Sequence, residues 1–196
     1  MVVINGIRHG QLSRSFRRTL LLVGLILSPL ISIDSTFASK NDPVVLSRVN
    51  GVTTASIMVS VPQTQAWDVL IQYEKTALKM PDIKDIKILS RKGPLIKLQQ
   101  TYKAPYTFGL KIQALIEIEE KPKSMLNYRL IEGKHIRKLE GNWILIPVNG
   151  GTLVAHRIDI EPSLPGILKP LFFKSFDANL KESMVIIRRE ILSGAS

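Results

Sequence analysis

Six consecutive segments between Lys84 and Glu161 alternate apolar and polar side chains, and no helical pattern separates them. Successive side chains of a β-strand point to opposite faces of the sheet, so each segment predicts a strand with one buried face. Leu110 to Glu120 alternates most regularly. Turn signals such as Lys92-Gly93-Pro94 and Asn149-Gly150-Gly151 join the segments. Strands connected in this way form an antiparallel meander.

The expected strands have the following bounds: Lys84 to Arg91, Leu95 to Ala104, Leu110 to Glu120, Met125 to Glu132, Ile136 to Pro147 and Thr152 to Glu161. A seventh strand precedes them, because period-two alternation also begins at Val52 and ends before Pro62. Between this strand and the meander, the residues from Gln63 to about Lys79 have apolar side chains at helical spacing. Pro81 ends this helical stretch. This stretch predicts one or two short helices.

After Pro162, with Pro165 near its start, the apolar residues recur at helical spacing and predict a helix of about 25 residues. Its apolar stripe consists of Leu164, Leu168, Leu171, Phe172, Phe176, Leu180, Met184 and Ile187. A sheet with one apolar face must be covered, and this helix is the long element available to cover it. The fold class is therefore α+β, with a seven-stranded curved antiparallel sheet wrapped around a long C-terminal helix. One helix does not fill a curved sheet completely, so we expect a cavity between them.

Residues 1–38 have the composition of a targeting segment. Four Arg precede an uncharged run from Thr19 to Ile33, and Ser-Thr-Phe-Ala follows Asp34. These features predict a secretory signal peptide that is cleaved between Ala38 and Ser39 or retained as a short anchor. An organellar transit peptide is the alternative, because residues 1–33 carry Arg and Ser but no acidic residue.

The expected organisation is a signal peptide over residues 1–38, a linker over 39–50 and one domain over 51–193. The expected location is the periplasm, the thylakoid lumen or the extracellular space, with membrane association as a further possibility. Targeting by a transit peptide would instead place the protein in an organelle.

Composition narrows the possible chemistry. Cysteine is absent and three His occur, at His9, His135 and His156. Disulfides, thiolate metal sites and cysteine nucleophiles are thereby excluded, and we expect neither a metal site nor a cofactor.

The chain is basic, with 27 Lys and Arg against 16 Asp and Glu. The net charge is +11, and without residues 1–38 it is +8. A solvated surface or attraction to an anionic membrane explains this excess. We expect no nucleic-acid partner, because the chain combines an export signal with no nucleic-acid-binding motif.

Several short motifs, taken in order, resemble the START-like helix-grip superfamily (SRPBCC), in particular its coenzyme Q-binding and polyketide cyclase/dehydrase-like group. The resembling segments are Val61 to Glu74, Met80 to Ile83, Leu139 to Pro147, Gly150 to Thr152 and Ile160 to Gly166. With the final helix, the resemblance extends from about Gly51 to Leu192.

The resemblance implies a deep apolar pocket between the sheet and the last helix. Such a pocket would bind a hydrophobic small molecule, of the lipid, quinone or pigment type, for transport or shielding near a membrane. The alternative is an enzyme of the polyketide cyclase or aromatase type that uses the same pocket. A third possibility is a structural protein or assembly factor whose groove holds a peptide or a partner helix. We assign no catalytic residue, because no inward carboxylate alternates with His156 on its strand.

The candidates for ligand binding are inward-facing residues of the strands and the final helix: Leu98, Gln100, Tyr102, Ile112, Ala114, Ile116, Tyr128, Trp143, Val154, His156, Phe172 and Phe176. Buried polar groups need partners, so the polar members of this set either pair with one another or bind the polar end of a ligand, such as a quinone carbonyl. The aromatic segment from Tyr102 to Gly109 is expected to be a mouth of the pocket or a simple hairpin connection.

Overall fold

The computed structural model of the protein describes residues 43–103 and 111–194. The predicted signal peptide and its cleavage site lie outside the described residues. So does most of the predicted aromatic segment between Tyr102 and Gly109.

One antiparallel sheet forms the body of the molecule, with the strands in the order β1-β2-β8-β7-β6-β5-β4-β3. The strands are β1 Val45–Val49, β2 Val52–Val59, β3 Ile83–Lys92, β4 Leu95–Tyr102, β5 Ile112–Lys121, β6 Met125–Lys134, β7 Ile136–Val148 and β8 Gly151–Pro162. From β3 to β8 each strand pairs with the next in the chain, which confirms the predicted meander. β2 pairs with β8.

Two short helices and one long helix accompany the sheet. They are α1 Gln63–Leu70, α2 Tyr73–Ala77 and α3 Lys169–Ser193, and a 3-10 turn at Gly166–Leu168 precedes α3. The predicted C-terminal helix of about 25 residues is confirmed, since α3 has 25 residues. The prediction of one or two short helices after the first long strand is also confirmed.

The residues that the structure describes form eight strands, where seven were predicted. The additional strand is β1, which lies in the segment expected to be a linker and pairs with β2. Four of its five residues are exposed, so β1 lacks the alternation that marks a half-buried strand. The signal that was missed is Asn50-Gly51, whose φ angles of 50° and 83° suit a tight hairpin turn.

The core lies between the inward faces of the strands and the helices. On β2 the buried residues alternate as Ala55, Ile57 and Val59, as the sequence predicts. α3 is buried unevenly along its length. In its C-terminal half Leu180, Met184, Ile187 and Ile191 are all buried, whereas residues 169–179 are half-buried or exposed.

Two side-chain contacts secure the C-terminal half of α3. The Gln65 side chain of α1 donates a 2.9 Å hydrogen bond to the carbonyl oxygen of Ile191. Lys79 forms an ion pair with Glu190. Within residues 43–103 and 111–194, no helix is both long enough and apolar enough to span a membrane.

Candidate functional site

A cavity of about 190 Å³ lies between the concave face of the sheet, α2 and the N-terminal half of α3. Its walls are mainly Ile, Leu, Phe and other apolar side chains. Lys103, which follows β4, is exposed and also lines the cavity, so the cavity wall reaches the protein surface at this residue. We call this region the open end: the starts of β3, β5 and β7, the ends of β4, β6 and β8, and the turn before α3.

Ten of the twelve predicted site residues line the cavity: Leu98, Gln100, Tyr102, Ile112, Ile116, Tyr128, Trp143, His156, Phe172 and Phe176. Ala114 and Val154 do not. Both face inward and are buried, but they belong to the packed core. Val154 lies between Ile57 of β2 and Leu145 of β7 in the sheet register, where neighbouring side chains cover it. Whether the ten residues bind a ligand stays a prediction.

His156, Trp143 and Tyr128 form a polar and aromatic cluster in the wall of the cavity. The imidazole of His156 stacks on Trp143, with ring centroids 3.8 Å apart and an interplanar angle of 14°. The Tyr128 hydroxyl lies 3.0 Å from His156 Nε2 and 3.3 Å from the carbonyl oxygen of Arg157. The carbonyl can only accept, so both contacts are satisfied when Tyr128 donates to Arg157 and His156 Nε2–H donates to Tyr128.

Gly141 makes this cluster possible. Gly141 of β7 is opposite Tyr128 of β6 on one side and opposite Ile158 of β8 on the other, so it lies between Tyr128 and β8. A Cβ atom at position 141 would lie 2.6 Å from the Tyr128 hydroxyl and 2.0 Å from the carbonyl oxygen of Arg157. A side chain there would therefore push Tyr128 away from His156.

Burial sets the ionisation of the cluster. Desolvation lowers the pKa of His156 to about 3, so its imidazole is neutral near pH 7. Burial likewise raises the pKa of the Tyr128 hydroxyl well above its ordinary value. Both groups thus act as neutral hydrogen-bonding partners, which suits an uncharged ligand.

A second polar group of residues lies near the open end. The Tyr102 hydroxyl donates a 2.6 Å hydrogen bond to Gln100 Oε1, so two of the predicted polar residues satisfy one another. Asp82 and Lys103 also line the cavity, and sequence reasoning missed both as site residues. Burial raises the pKa of Asp82, and the positive charge of Lys103 partly opposes that rise. Asp82 lies within the Met80 to Ile83 motif, which was the available signal.

The cavity-facing side of α3 carries three polar residues that the predicted apolar stripe omits. Ser175, Asn179 and Ser183 line the cavity at a spacing of four residues. Residues four apart lie on the same face of a helix, and these three neighbour Phe172, Phe176 and Leu180. The spacing was visible in the sequence, but apolar periodicity alone does not mark it.

No three His, Asp or Glu side chains within residues 43–103 and 111–194 come together in a way that could hold a metal ion.

Comparison with protein families assigns the chain. Residues 59–185 match the family described as polyketide cyclase / dehydrase and lipid transport, and the protein belongs to this family. Its fold is therefore a hydrophobic ligand-binding fold of the START and polyketide cyclase type, as the sequence motifs indicated. No curated protein sequence matches the chain.

Several crystal structures share the fold at low sequence identity. A protein from Thermus thermophilus is 19% identical with a TM-score of 0.66, and the match covers 74% of this chain and 99% of that protein. The Zhui aromatase/cyclase from Streptomyces is 15% identical with a TM-score of 0.58, covering 74% and 92%. A STAR-related lipid transfer protein from Xanthomonas axonopodis is 15% identical with a TM-score of 0.56, covering 76% and 99%. At these identities the matches show the fold alone.

Proposed function

We propose that the protein binds a hydrophobic small molecule, of the lipid, quinone or pigment type, in the cavity under α3, and carries or shields it beside a membrane. The observation that carries the proposal is the cavity itself, which is apolar apart from a few positioned polar groups. Ligand sites have this composition, because apolar walls supply affinity and the polar groups fix orientation.

The surface around the open end supports a role beside an anionic membrane. Ile167, in the turn before α3, is 87% exposed, and Leu171 in the first turn of α3 is 38% exposed. Exposed lysines lie at the strand ends of the same region: Lys84, Lys103, Lys111 and Lys134. Basic side chains around exposed apolar ones favour contact with anionic headgroups and the boundary of the acyl chains.

Native mass spectrometry of the protein purified from its own host tests ligand binding directly. We expect a non-covalent complex with one apolar molecule, which organic extraction releases for identification. Protein that is consistently empty under these conditions would contradict the carrier function.

A pair of variants on α3 then locates the molecule. Ser175 lines the cavity, whereas the adjacent Lys174 is exposed. We expect Ser175→Trp to fill the cavity and abolish copurification, and Lys174→Trp to retain it. Loss of the molecule from both variants, or from neither, would place the ligand elsewhere.

The alternative function is a cyclase or aromatase that acts on a reactive chain in the same cavity. The presence of Asp82 and Lys103 in the lining favours it, since they add titratable groups to His156. Against it, the recorded hydrogen bonds of His156 involve Tyr128 and no carboxylate. Incubation with a poly-β-ketone chain distinguishes the two: an enzyme converts the chain and loses turnover in Asp82→Asn, whereas a carrier leaves the chain unchanged.

A further inference from the structure

Asp82 and Tyr102 both line one end of a largely apolar cavity. Tyr102 is opposite Ile83 in the register of β3 and β4, and Asp82 immediately precedes Ile83. The backbone N–H of Lys103 donates a 2.7 Å hydrogen bond to the Asp82 carbonyl oxygen, which holds the two strand ends together. Burial of the Tyr102 hydroxyl raises its pKa, and the negative charge of Asp82 adds to that rise. The carboxylate and the hydroxyl are therefore electrostatic neighbours within the cavity wall.

The hydrogen bonds already made decide what this pair offers to a ligand. The proton of the Tyr102 hydroxyl is directed to Gln100 Oε1 at 2.6 Å, so Tyr102 presents oxygen lone pairs. An ionised carboxylate only accepts; that of Asp82 already accepts a hydrogen bond from its own backbone N–H and has room for further donors. Asp82 and Tyr102 together are thus an accepting pair in a cavity wall.

The nearby charges limit the ligand group further. An anionic ligand group would be repelled by Asp82. A cationic group would be attracted by Asp82, but it would be repelled by Lys103 and would compete with it, because the charge of Lys103 already acts on the Asp82 carboxyl. A neutral donor, such as a hydroxyl group, satisfies the acceptors without repulsion from Asp82 or from Lys103.

We propose that Asp82 and Tyr102 form a hydrogen-bond-accepting subsite that selects ligands with a neutral hydroxyl group. The proposal rests on the function proposed above and narrows it, because a quinone carbonyl or an ether offers no proton at this position. The ligand class is an apolar molecule with an alcohol or phenol at the end nearest the open end of the cavity.

Two probes of the same bicyclic skeleton test the subsite, 2-naphthol and 2-methoxynaphthalene, which differ in the hydroxyl proton. Isothermal titration calorimetry with the purified protein gives the dissociation constant of each. We expect 2-naphthol to bind about three- to tenfold more tightly, which is the range of one net hydrogen bond. Positively charged 2-naphthylmethylammonium and negatively charged 2-naphthoate should both bind more weakly than 2-naphthol.

Variants assign the preference to the subsite. Asp82→Leu should weaken the binding of 2-naphthol and strengthen the binding of 2-methoxynaphthalene, so that the preference for the hydroxyl probe disappears. The matched control Asp85→Leu alters an exposed carboxylate on β3 and should keep the preference. Tyr102→Phe keeps the ring but removes the accepting oxygen. It should reduce the ratio of the two dissociation constants to about half of its wild-type value or less. A merely structural role would weaken both probes equally.

The outcomes separate this proposal from the one on which it rests. Equal binding of both neutral probes by the wild type, or a preference that survives in Asp82→Leu, overturns the subsite and leaves ligand binding intact. Tighter binding of the ammonium or the carboxylate probe also overturns it. If no probe binds, the molecule that copurifies with the protein decides: one without an O–H group overturns the subsite, and no molecule at all contradicts both proposals.

Discussion

His156 shows how a single polar residue is accommodated in an apolar wall. Its imidazole is stacked on Trp143 and hydrogen-bonded to Tyr128, and Gly141 leaves the space that Tyr128 crosses. Its Nδ1 atom is buried and has no hydrogen-bond partner among the described residues. A buried imidazole in this setting is stable only while it is neutral, because an uncompensated buried charge is costly.

The neutral state of His156 makes the stability of the fold depend on acidity. Its pKa is about 3 in the folded protein and 6.5 in the unfolded chain, so between these values the unfolded chain binds more protons. We expect the contribution of His156 to the free energy of unfolding to be complete above pH 6.5. It should decrease by about 1.4 kcal/mol per pH unit as the pH falls towards 3. Urea unfolding between pH 7 and pH 4.5 measures this slope.

His156→Phe is the control for this slope, because phenylalanine can keep the stack on Trp143 but does not titrate. The variant should show a flatter dependence on pH than the wild type. Asp82 affects the pH dependence of stability in the opposite direction. Because its pKa is raised in the folded protein, its contribution to the free energy of unfolding decreases as the pH rises above 3.8. It is present in both proteins and cancels in the comparison. Parallel curves for the two proteins would contradict the assignment to His156.

Helix α3 combines two functions in its two halves. The C-terminal half is packed into the core, with Met184 and Ile187 fully buried. The N-terminal half covers the cavity with the half-buried rings of Phe172 and Phe176. Arg48 of β1 contacts this N-terminal half. It donates a 2.5 Å hydrogen bond to Asp177 and places its guanidinium 5.1 Å from the centre of the Phe173 ring.

Alanine substitutions should separate these two halves. We expect Met184→Ala to lower the free energy of unfolding by about 2–5 kcal/mol, because it leaves a space in a packed core. Phe176→Ala should cost less, since its ring is only half-buried, but should weaken the binding of 2-methoxynaphthalene. Urea unfolding and calorimetry measure the two effects.

Val185→Ala is the control for both substitutions, because Val185 is 49% exposed and lies outside the cavity lining. It should leave stability within about 0.5 kcal/mol of the wild type and binding unchanged. A larger loss of stability in Phe176→Ala than in Met184→Ala would show that the two halves do not differ as described.

At the scale of the whole molecule, basic side chains, exposed apolar side chains and the surface part of the cavity wall occur in one region, the open end. The exposed lysines at the strand ends and the turn that carries Ile167 both belong to the open end. This coincidence explains how a carrier could collect an apolar ligand without passing it through water. It also gives part of the net charge of +11 a specific location.

Vesicle cosedimentation tests the membrane role. We expect the protein to bind phosphatidylglycerol vesicles and not phosphatidylcholine vesicles, with binding that weakens as salt increases. Ile167→Glu should reduce binding, because it places a charge at the proposed contact. Val185→Glu adds the same charge to an exposed position in the other half of α3 and should bind like the wild type. Equal reduction in both variants would indicate a general charge effect.

Periodicity predicted most of the elements, because side-chain direction is a local property of strands and helices. The inward faces of β2, β4 and β5 and the long helix followed from spacing, and ten of the twelve candidates chosen on inward faces line the cavity. β1 was missed because an edge strand with exposed residues has no such pattern. Ala114 and Val154 were assigned to the cavity because alternation tells which way a residue faces, not whether a neighbour covers it.

By itself, the sequence determined the class of fold and the composition of its interior. Tertiary structure decided which inward residues border a cavity and which polar groups meet there. Tyr128 and His156 are 28 positions apart, and Asp82 and Tyr102 come from different strands, so their contacts depend on strand register and on the absent side chain of Gly141. Hydrogen bonds between distant positions are a property of packing, and no local pattern encodes them.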